Sequence, residues 1–157
     1  MRLLPIFIAI SAIVAILLFT HLLTQKNTLC GTGHVATIRT QKQTLQVTVS
    51  ATQAQQVKGL GGCKKLARKT GMLFPFSVTG PQTFWMKDML IPLDMVWIKN
   101  NKVVGITDNI PFPEPNTPDA KLLLYHSPKD VDAVLEVGAG TAQEYGLTIG
   151  SQLVMVN

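Results

Sequence analysis

Apolar and polar positions along the chain follow two regimes. Residues 3–23, LLPIFIAISAIVAILLFTHLL, are apolar with no acidic or basic residue apart from His21. From residue 35 onward, short alternating runs are punctuated by glycine, proline and asparagine, which is the mark of sequential strands. VATIR (35–39) and LQVTVS (45–50) alternate with a period of two and predict a hairpin that begins a sheet. Thr52 followed by Gln55 has the spacing of a capping box, so a short helix is expected there, with a thin apolar face and a stop at Gly59 and Gly61-Gly62. A second short helical or turn segment over 63–70 would carry its basic residues outward and Leu66 inward.

Further on, GMLFPF (71–76) reads as a buried strand interrupted at Pro75, and FWMK (84–87) as another short strand. In residues 93–99 Leu93, Met95 and Trp97 share one face, and Asp94, Val96 and Ile98 share the other. Both faces are mostly apolar, so this strand is expected at the centre of a sheet. Asn100-Asn101 predicts the turn of a hairpin. Four prolines in residues 107–120 exclude a helix interior or a central strand, and predict a stiff surface cover with Ile110 and Phe112 tucked beneath it. Short strands are expected over 122–125 and at the C-terminal end, and Val131, Val134 and Leu135 read as the inner face of a strand or of a short turn element. A helix starting at Thr141 carries Tyr145 and stops at Gly146. The result is an α+β, β-rich class: a mixed or antiparallel sheet domain with one or two short helices.

The N-terminal run is long enough to cross roughly 30 Å of hydrocarbon as a helix. It exceeds the apolar region of a signal peptide, and 20–24 offer no small-x-small exit, which favours a retained anchor over a cleaved leader. The organisation read from the chain is therefore a signal-anchor at 1–23, a linker at 24–34 and a soluble domain at 35–157. Arg2 ahead of the apolar run favours a short tail inside, placing the domain outside the cytoplasm on a single-pass anchor whose partner is the bilayer through residues 3–23.

Charge and cysteines change the picture little. The net charge of +5 is modest and the domain is mixed in sign, which is not a nucleic-acid footprint. Lys58, Lys64, Lys65, Arg68 and Lys69 crowd one segment that reads as a solvated face, or as a contact for anionic lipid headgroups if it faces the bilayer. Cys30 and Cys63 could pair in an oxidising compartment, pinning the linker to the domain, or stand as two free thiols. They form no CxxC motif, and His34 and His126 stand alone, so neither a metal site nor a cofactor is expected.

Residues 84–98, FWMKDMLIPLDMVWI, hold the densest chemistry. Trp85 beside Lys87 and Asp88 sets a flat apolar surface next to two opposite charges. With Asp94, these are the candidate ligand-binding residues, against the alternative that Trp85 is core packing. Asp94 and Glu136 are carboxylates among aliphatics, in PLDMV and VLEVG, and must be paired, hydrogen-bonded or shifted in pKa. As a pair they are the candidate catalytic residues of a hydrolase.

GMLF at 71–74, FWMK at 84–87, IPLD at 91–94 and VLEVGAG at 134–140, with Gly146 and Gly150 following, resemble the domain-of-unknown-function 192 family, also called uncharacterised protein family 0127. The resemblance spans about residues 44–156. It implies a small single-domain protein, often exported or anchored, with no firmly attached activity. Family members usually carry asparagine and threonine where this chain has Asp88 and Met89. The reading that follows is an anchored extracytoplasmic module binding a saccharide or another cell-envelope ligand, with a glycan or an envelope protein as partner. A carboxylate-dependent hydrolase and a purely structural or interaction module stand as alternatives.

Overall fold

Strand β5, Leu93–Lys99, is buried on both faces, and the sheet extends from it in both directions. The computed structural model describes residues 29–156; the anchor read at 1–23 lies outside them. In chain order the remaining elements are β1 (His34–Arg39), β2 (Thr44–Val49), α1 (Gln53–Lys58), β3 (Thr70–Gly80) and β4 (Thr83–Trp85). After β5 come β6 (Lys102–Ile110), a 3-10 turn at Asp119–Lys121, β7 (Leu124–His126), β8 (Val131–Gly138), α2 (Thr141–Glu144) and β9 (Val154–Val156). Seven strands form one sheet in the order β6-β5-β8-β3-β2-β1-β9, and β4 pairs with β7 in a separate two-stranded ribbon. All neighbours are antiparallel except β2 and β3, which run parallel. A β-rich mixed sheet with two short helices is thus the architecture. Among the described residues no helix is long and apolar enough to cross a membrane.

Local sequence explains most of these elements. Thr52 accepts from the Gln55 backbone N–H, and the Gln55 side chain accepts from the Thr52 N–H, so α1 begins on a complete capping box. Gly59, with φ of 48°, ends it. Asn100 and Asn101 both have positive φ, 51° and 58°, in a two-residue turn that matches the twist of β5 and β6. Pro75 does not end β3. The strand continues to Gly80, and the register against β8 shifts between Pro75 and Gly80, which absorbs the missing donor.

Alternation along β5 divides the interior. Leu93, Met95 and Trp97 join Met72, Phe74 and Val134 in one cluster, closed over by Met86, Met89 and the partly buried Phe84 and Tyr125. Val96 and Ile98 join Val47, Val49, Leu135 and Val137 in the other, closed by Tyr145, Leu147 and Leu153. The chain from Gly150 to Leu153 bonds back to Asn101 and Val103 before entering β9. The two edges of the sheet are thereby tied together near the start of β6, which shields part of an otherwise open edge.

Two expectations need correction. Residues 107–110 belong to β6 rather than to the proline-rich cover, because Thr107 and Ile110 pair with Met95 and Leu93. Ile110 is buried, but Phe112 is 49% exposed and does not pack beneath the loop. Residues 63–69 take the turn form of the two that the sequence allowed, not the helical one. Tyr145 instead reaches across to accept the Lys69 backbone N–H on its hydroxyl at 2.8 Å, the interaction a helix there would have used internally.

Cys30 and Cys63 form a disulfide, with Cα atoms 6.0 Å apart. The residues around Cys30 are fitted to the domain as well. Thr48 Oγ1 donates to the Cys30 carbonyl at 3.1 Å. At Gly31, with φ of 84°, a Cβ would lie 1.8 Å from the Met72 terminal methyl. The last residues of the segment read as linker are therefore laid against β2 and β3. A C30S/C63S double variant should lose about 3–4 kcal/mol of stability, the loop-closure value for 33 residues. Denaturant unfolding of the oxidised and variant proteins measures this, with intact mass in and out of reductant confirming the bridge.

Candidate functional site

Glu136 is the group around which a site can be built. It lies on β8 with Met72 of β3 and Met95 of β5 directly opposite on either side, in a surface otherwise made of methionine and aromatic side chains. It is 5% exposed, and burial pushes its pKa up to about 8 from the ordinary 4.5. At neutral pH it is therefore a protonated carboxylic acid, able to donate as well as accept. Its exposed fraction opens into a cleft of about 260 Å³. Phe76, Phe84 and Trp85 supply apolar walls, Gln53, Gln56 and Gln82 supply amides, and the turn Lys58-Gly59-Leu60-Gly61 closes one side.

Each wall has a local cause. Phe84 is on the inward face of β4 and meets Phe74, Phe76 and Trp97 edge-on, with centroids 5.2, 6.3 and 5.9 Å away. That arrangement suits the charge distribution of aromatic rings. Trp85, the next residue, points to the opposite side of the ribbon and is 40% exposed. It is surface at the mouth of the cleft, while Trp97 is core and donates its indole N–H to Thr107 Oγ1 at 2.9 Å. Gln56 is held by a bond from its amide to the Pro75 carbonyl at 3.0 Å, which ties α1 to β3 across the cleft.

Lys87 lies at the rim. Its ammonium bonds the Asp119 carboxylate, which is the main reason its pKa sits above the ordinary lysine value. The same ammonium stands 5.3 Å from the Trp85 ring centroid, within cation–π range. Lys87 thus fastens the tryptophan and the 3-10 turn to each other.

The other two predicted ligand residues are elsewhere. Asp88 is exposed in the turn closed by Met89 N–H to the Met86 carbonyl, with φ of 56°, and it faces a separate cavity of about 390 Å³ along the proline-rich segment. Asparagine and aspartate are the non-glycine residues that best tolerate that backbone. An asparagine-to-aspartate difference here preserves the turn, so the residue pair reads as a conformational choice.

Asp94 is not part of the cleft. Antiparallel register sets Met95 opposite Glu136 and Asp94 opposite Val137, and neighbouring positions on a strand face opposite sides. The two carboxylates therefore lie on opposite faces of the sheet. A shared acid/base role, and with it the carboxylate-pair hydrolase, is ruled out by that register. Asp94 is 1% exposed and fully used. Its Oδ1 accepts from the Asn109 N–H at 2.8 Å and the Gly140 N–H at 3.0 Å, and its Oδ2 accepts from the Ala142 N–H at 3.0 Å. It clamps the end of β6 to the start of α2. Among the described residues no cluster of His, Cys, Asp and Glu is placed to hold a metal ion.

The sequence pattern pointed to Trp85, Lys87 and Glu136, which the structure brings to one cleft, but it missed Gln53, Gln56, Phe76 and Gln82. Those come from α1, β3 and the β3–β4 turn, and no periodicity in the chain reveals that they converge. Asp94→Ala should cost about 3 kcal/mol, because the Asn109, Gly140 and Ala142 N–H groups lose their acceptor, the last of them buried, whereas Asp88→Asn should be close to neutral. Thermal or denaturant unfolding of the two variants distinguishes them.

Glu136 adds a pH dependence whose sign is opposite to that of a paired carboxylate. The folded protein holds this proton up to about pH 8 while the unfolded chain releases it near 4.5. Stability from this group is therefore full below pH 4.5 and declines as pH rises through 8. Glu136→Gln should remove the decline, so that the variant gains on the wild type by roughly 2–5 kcal/mol between pH 4.5 and 8. The difference between the two unfolding profiles, in which other groups cancel, measures it.

Comparison with known proteins fits this geometry. A family model described as an uncharacterized ACR, the domain-of-unknown-function 192 family, matches residues 35–155. A solved protein from Sinorhizobium meliloti 1021, provisionally described as a transcription regulator, is 27% identical with a TM-score of 0.70, over 79% of this chain and 95% of its own. A protein of unknown function from Novosphingobium aromaticivorans DSM 12444 shares the fold at 24% identity and a TM-score of 0.64, over 82% of this chain and 94% of its own. No curated protein matches the chain. The match over residues 35–155, which takes in β1 through most of β9 and every wall of the cleft, shows that this chain belongs to the domain-of-unknown-function 192 family.

Proposed function

We propose that this protein is a membrane-anchored, extracytoplasmic binding module that takes a small neutral ligand of saccharide type in the cleft beside Trp85. The observation that carries the reading is Glu136 opening, protonated at neutral pH, into a cleft with aromatic walls and three amide side chains around it. A sugar ring has an apolar face for stacking and hydroxyls for the amides and the acid, and few convergent polar groups in an apolar cleft is the pattern of small-ligand sites. A cationic ligand fits less well: Glu136, the one carboxyl lining the cleft, keeps its proton at neutral pH, and two lysines, Lys58 and Lys87, line the walls, the second bonded to Asp119.

Anchoring is supported by the apolar run at 3–23 and by the disulfide, which is favoured in an oxidising compartment. The description of the S. meliloti neighbour does not transfer readily. The helices among the described residues are six and four residues long, too short to lie along a DNA groove as a recognition helix.

Titration with cell-envelope glycans, followed by Trp85 fluorescence and calorimetry, tests the reading. Binding should weaken roughly tenfold in Trp85→Ala and in Glu136→Ala, and fall with pH through 8 in the wild type but not in Glu136→Gln. Absence of heat and of any fluorescence response across neutral envelope saccharides sinks the saccharide assignment.

A further inference from the structure

The disulfide gives the basic segment a position relative to the N-terminal run. The first 87 residues contain ten lysine and arginine side chains and no Asp or Glu; Asp88 is the first acidic residue in the chain. Within that half, Lys58, Lys64, Lys65, Arg68 and Lys69 are all exposed. Lys64 and Lys65 directly follow Cys63, which is bonded to Cys30. The Lys58 ammonium stands 3.7 Å from where a Cβ on Gly62 would lie, so it joins them from the end of α1. Two carboxylates border the patch. Glu144 pairs with Arg68, and Asp88 lies against Gly61, where a Cβ would sit 3.3 Å from its own. Among the described residues Lys58, Lys64, Lys65 and Lys69 form no ion pair.

The chain between the end of the apolar run and the bridge is short. Six residues separate Leu23 from Cys30, a distance of roughly 25 Å at full extension. On the anchored reading, Cys30 lies within that distance of the point where the chain leaves the bilayer, and Cys63, its Cα 6.0 Å from that of Cys30, lies just beyond with the lysines beside it. Without the bridge only the Thr48 bond to the Cys30 carbonyl and the packing of Gly31 on Met72 would hold the segment ahead of β1 beside residues 58–69.

We propose that residues 58–69 dock on anionic headgroups of the same bilayer that holds residues 3–23, presented to it by the Cys30–Cys63 disulfide. The inference rests on the anchored reading above. A bare lysine cluster held close to a negatively charged leaflet gains from its surface potential, and the gain decays within about 8–10 Å at physiological salt. A tether of this length lets the cluster reach that layer, and the attraction then holds it there.

The test uses the oxidised full-length chain in nanodiscs of phosphatidylcholine alone or of phosphatidylcholine mixed with phosphatidylglycerol, read by amide hydrogen exchange. On the mixed lipid, exchange over residues 58–69 should slow by about fivefold per lysine engaged, with 119–126 unchanged. The protection should vanish at high salt and in a K64E/K65E variant, whose exposed positions leave the fold intact, as its thermal midpoint will verify. Equal exchange on both lipids, in a chain that has entered the nanodisc, overturns the docking surface while leaving the anchor standing. Failure of the chain to enter the nanodisc, together with release from membranes by alkaline carbonate, overturns the anchor and the docking with it. Protection of 58–69 by short duplex DNA but not by the mixed lipid overturns the proposal in favour of a nucleic-acid contact.

Discussion

The register between β5 and β8 is the constraint on which the rest depends. Because Met95 stands opposite Glu136 and Asp94 opposite Val137, one acidic residue on each strand is sent to each side of a sheet that is apolar on both faces. Each side then meets a buried carboxylate with different means. On the Asp94 side the neighbouring segments supply three backbone N–H groups, and the side chain becomes a joint between β6 and α2. On the Glu136 side there are methionines and aromatic rings, and the group keeps its proton instead. A shift of one residue in that pairing would exchange the two environments and satisfy neither.

Much of this division was legible in the chain. The alternation LDMVWIK separates Leu93, Met95 and Trp97 from Asp94, Val96 and Ile98, and burial on both faces follows from it. The capping box at Thr52 and the Asn100-Asn101 turn were equally plain, since each depends on residues within four positions. The pairing of Asp94 with Glu136 as a catalytic couple failed because face is a property of register across strands, and two acidic residues in similar apolar contexts look alike until β5 and β8 are aligned. Similarly, 107–110 looked like part of the proline-rich cover because Pro111 follows at once. Pairing with β5 overrides that local composition, and Asn109 takes a positive φ of 51° where the strand bends to deliver its N–H to Asp94.

The 84–98 stretch illustrates how a dense run of chemistry is dispersed by folding. Alternation in β4 turns Phe84 inward and Trp85 outward, so one residue closes the core and its neighbour rims a cleft. Lys87 is committed to Asp119 and Trp85, which explains why a cation beside a tryptophan need not be a ligand group: here it fixes the angle at which the ring is offered. Asp88 provides a backbone conformation and its carbonyl, which accepts the Gly62 N–H at 2.8 Å. Only Trp85 and Lys87 of that stretch's candidates stay with the cleft, and the acid they face comes from β8, some fifty residues later in the chain.

One segment belongs to two of these features at once. Lys58, Gly59, Leu60 and Gly61 form a side of the cleft, and Gly62, Cys63, Lys64 and Lys65 continue directly into the disulfide and the basic surface. The Gly62 bond to Asp88 also ties this segment to the turn that carries Lys87. Whatever holds residues 62–65 therefore sets the position of one cleft wall relative to the aromatic wall opposite. The disulfide and the glycine-rich turn need not have evolved for the same task, but mechanically they are in series. If the basic surface lies on a bilayer, the mouth beside Trp85 is held at a constant height above it, and the ligands it meets are those displayed from that surface more than those free in solution.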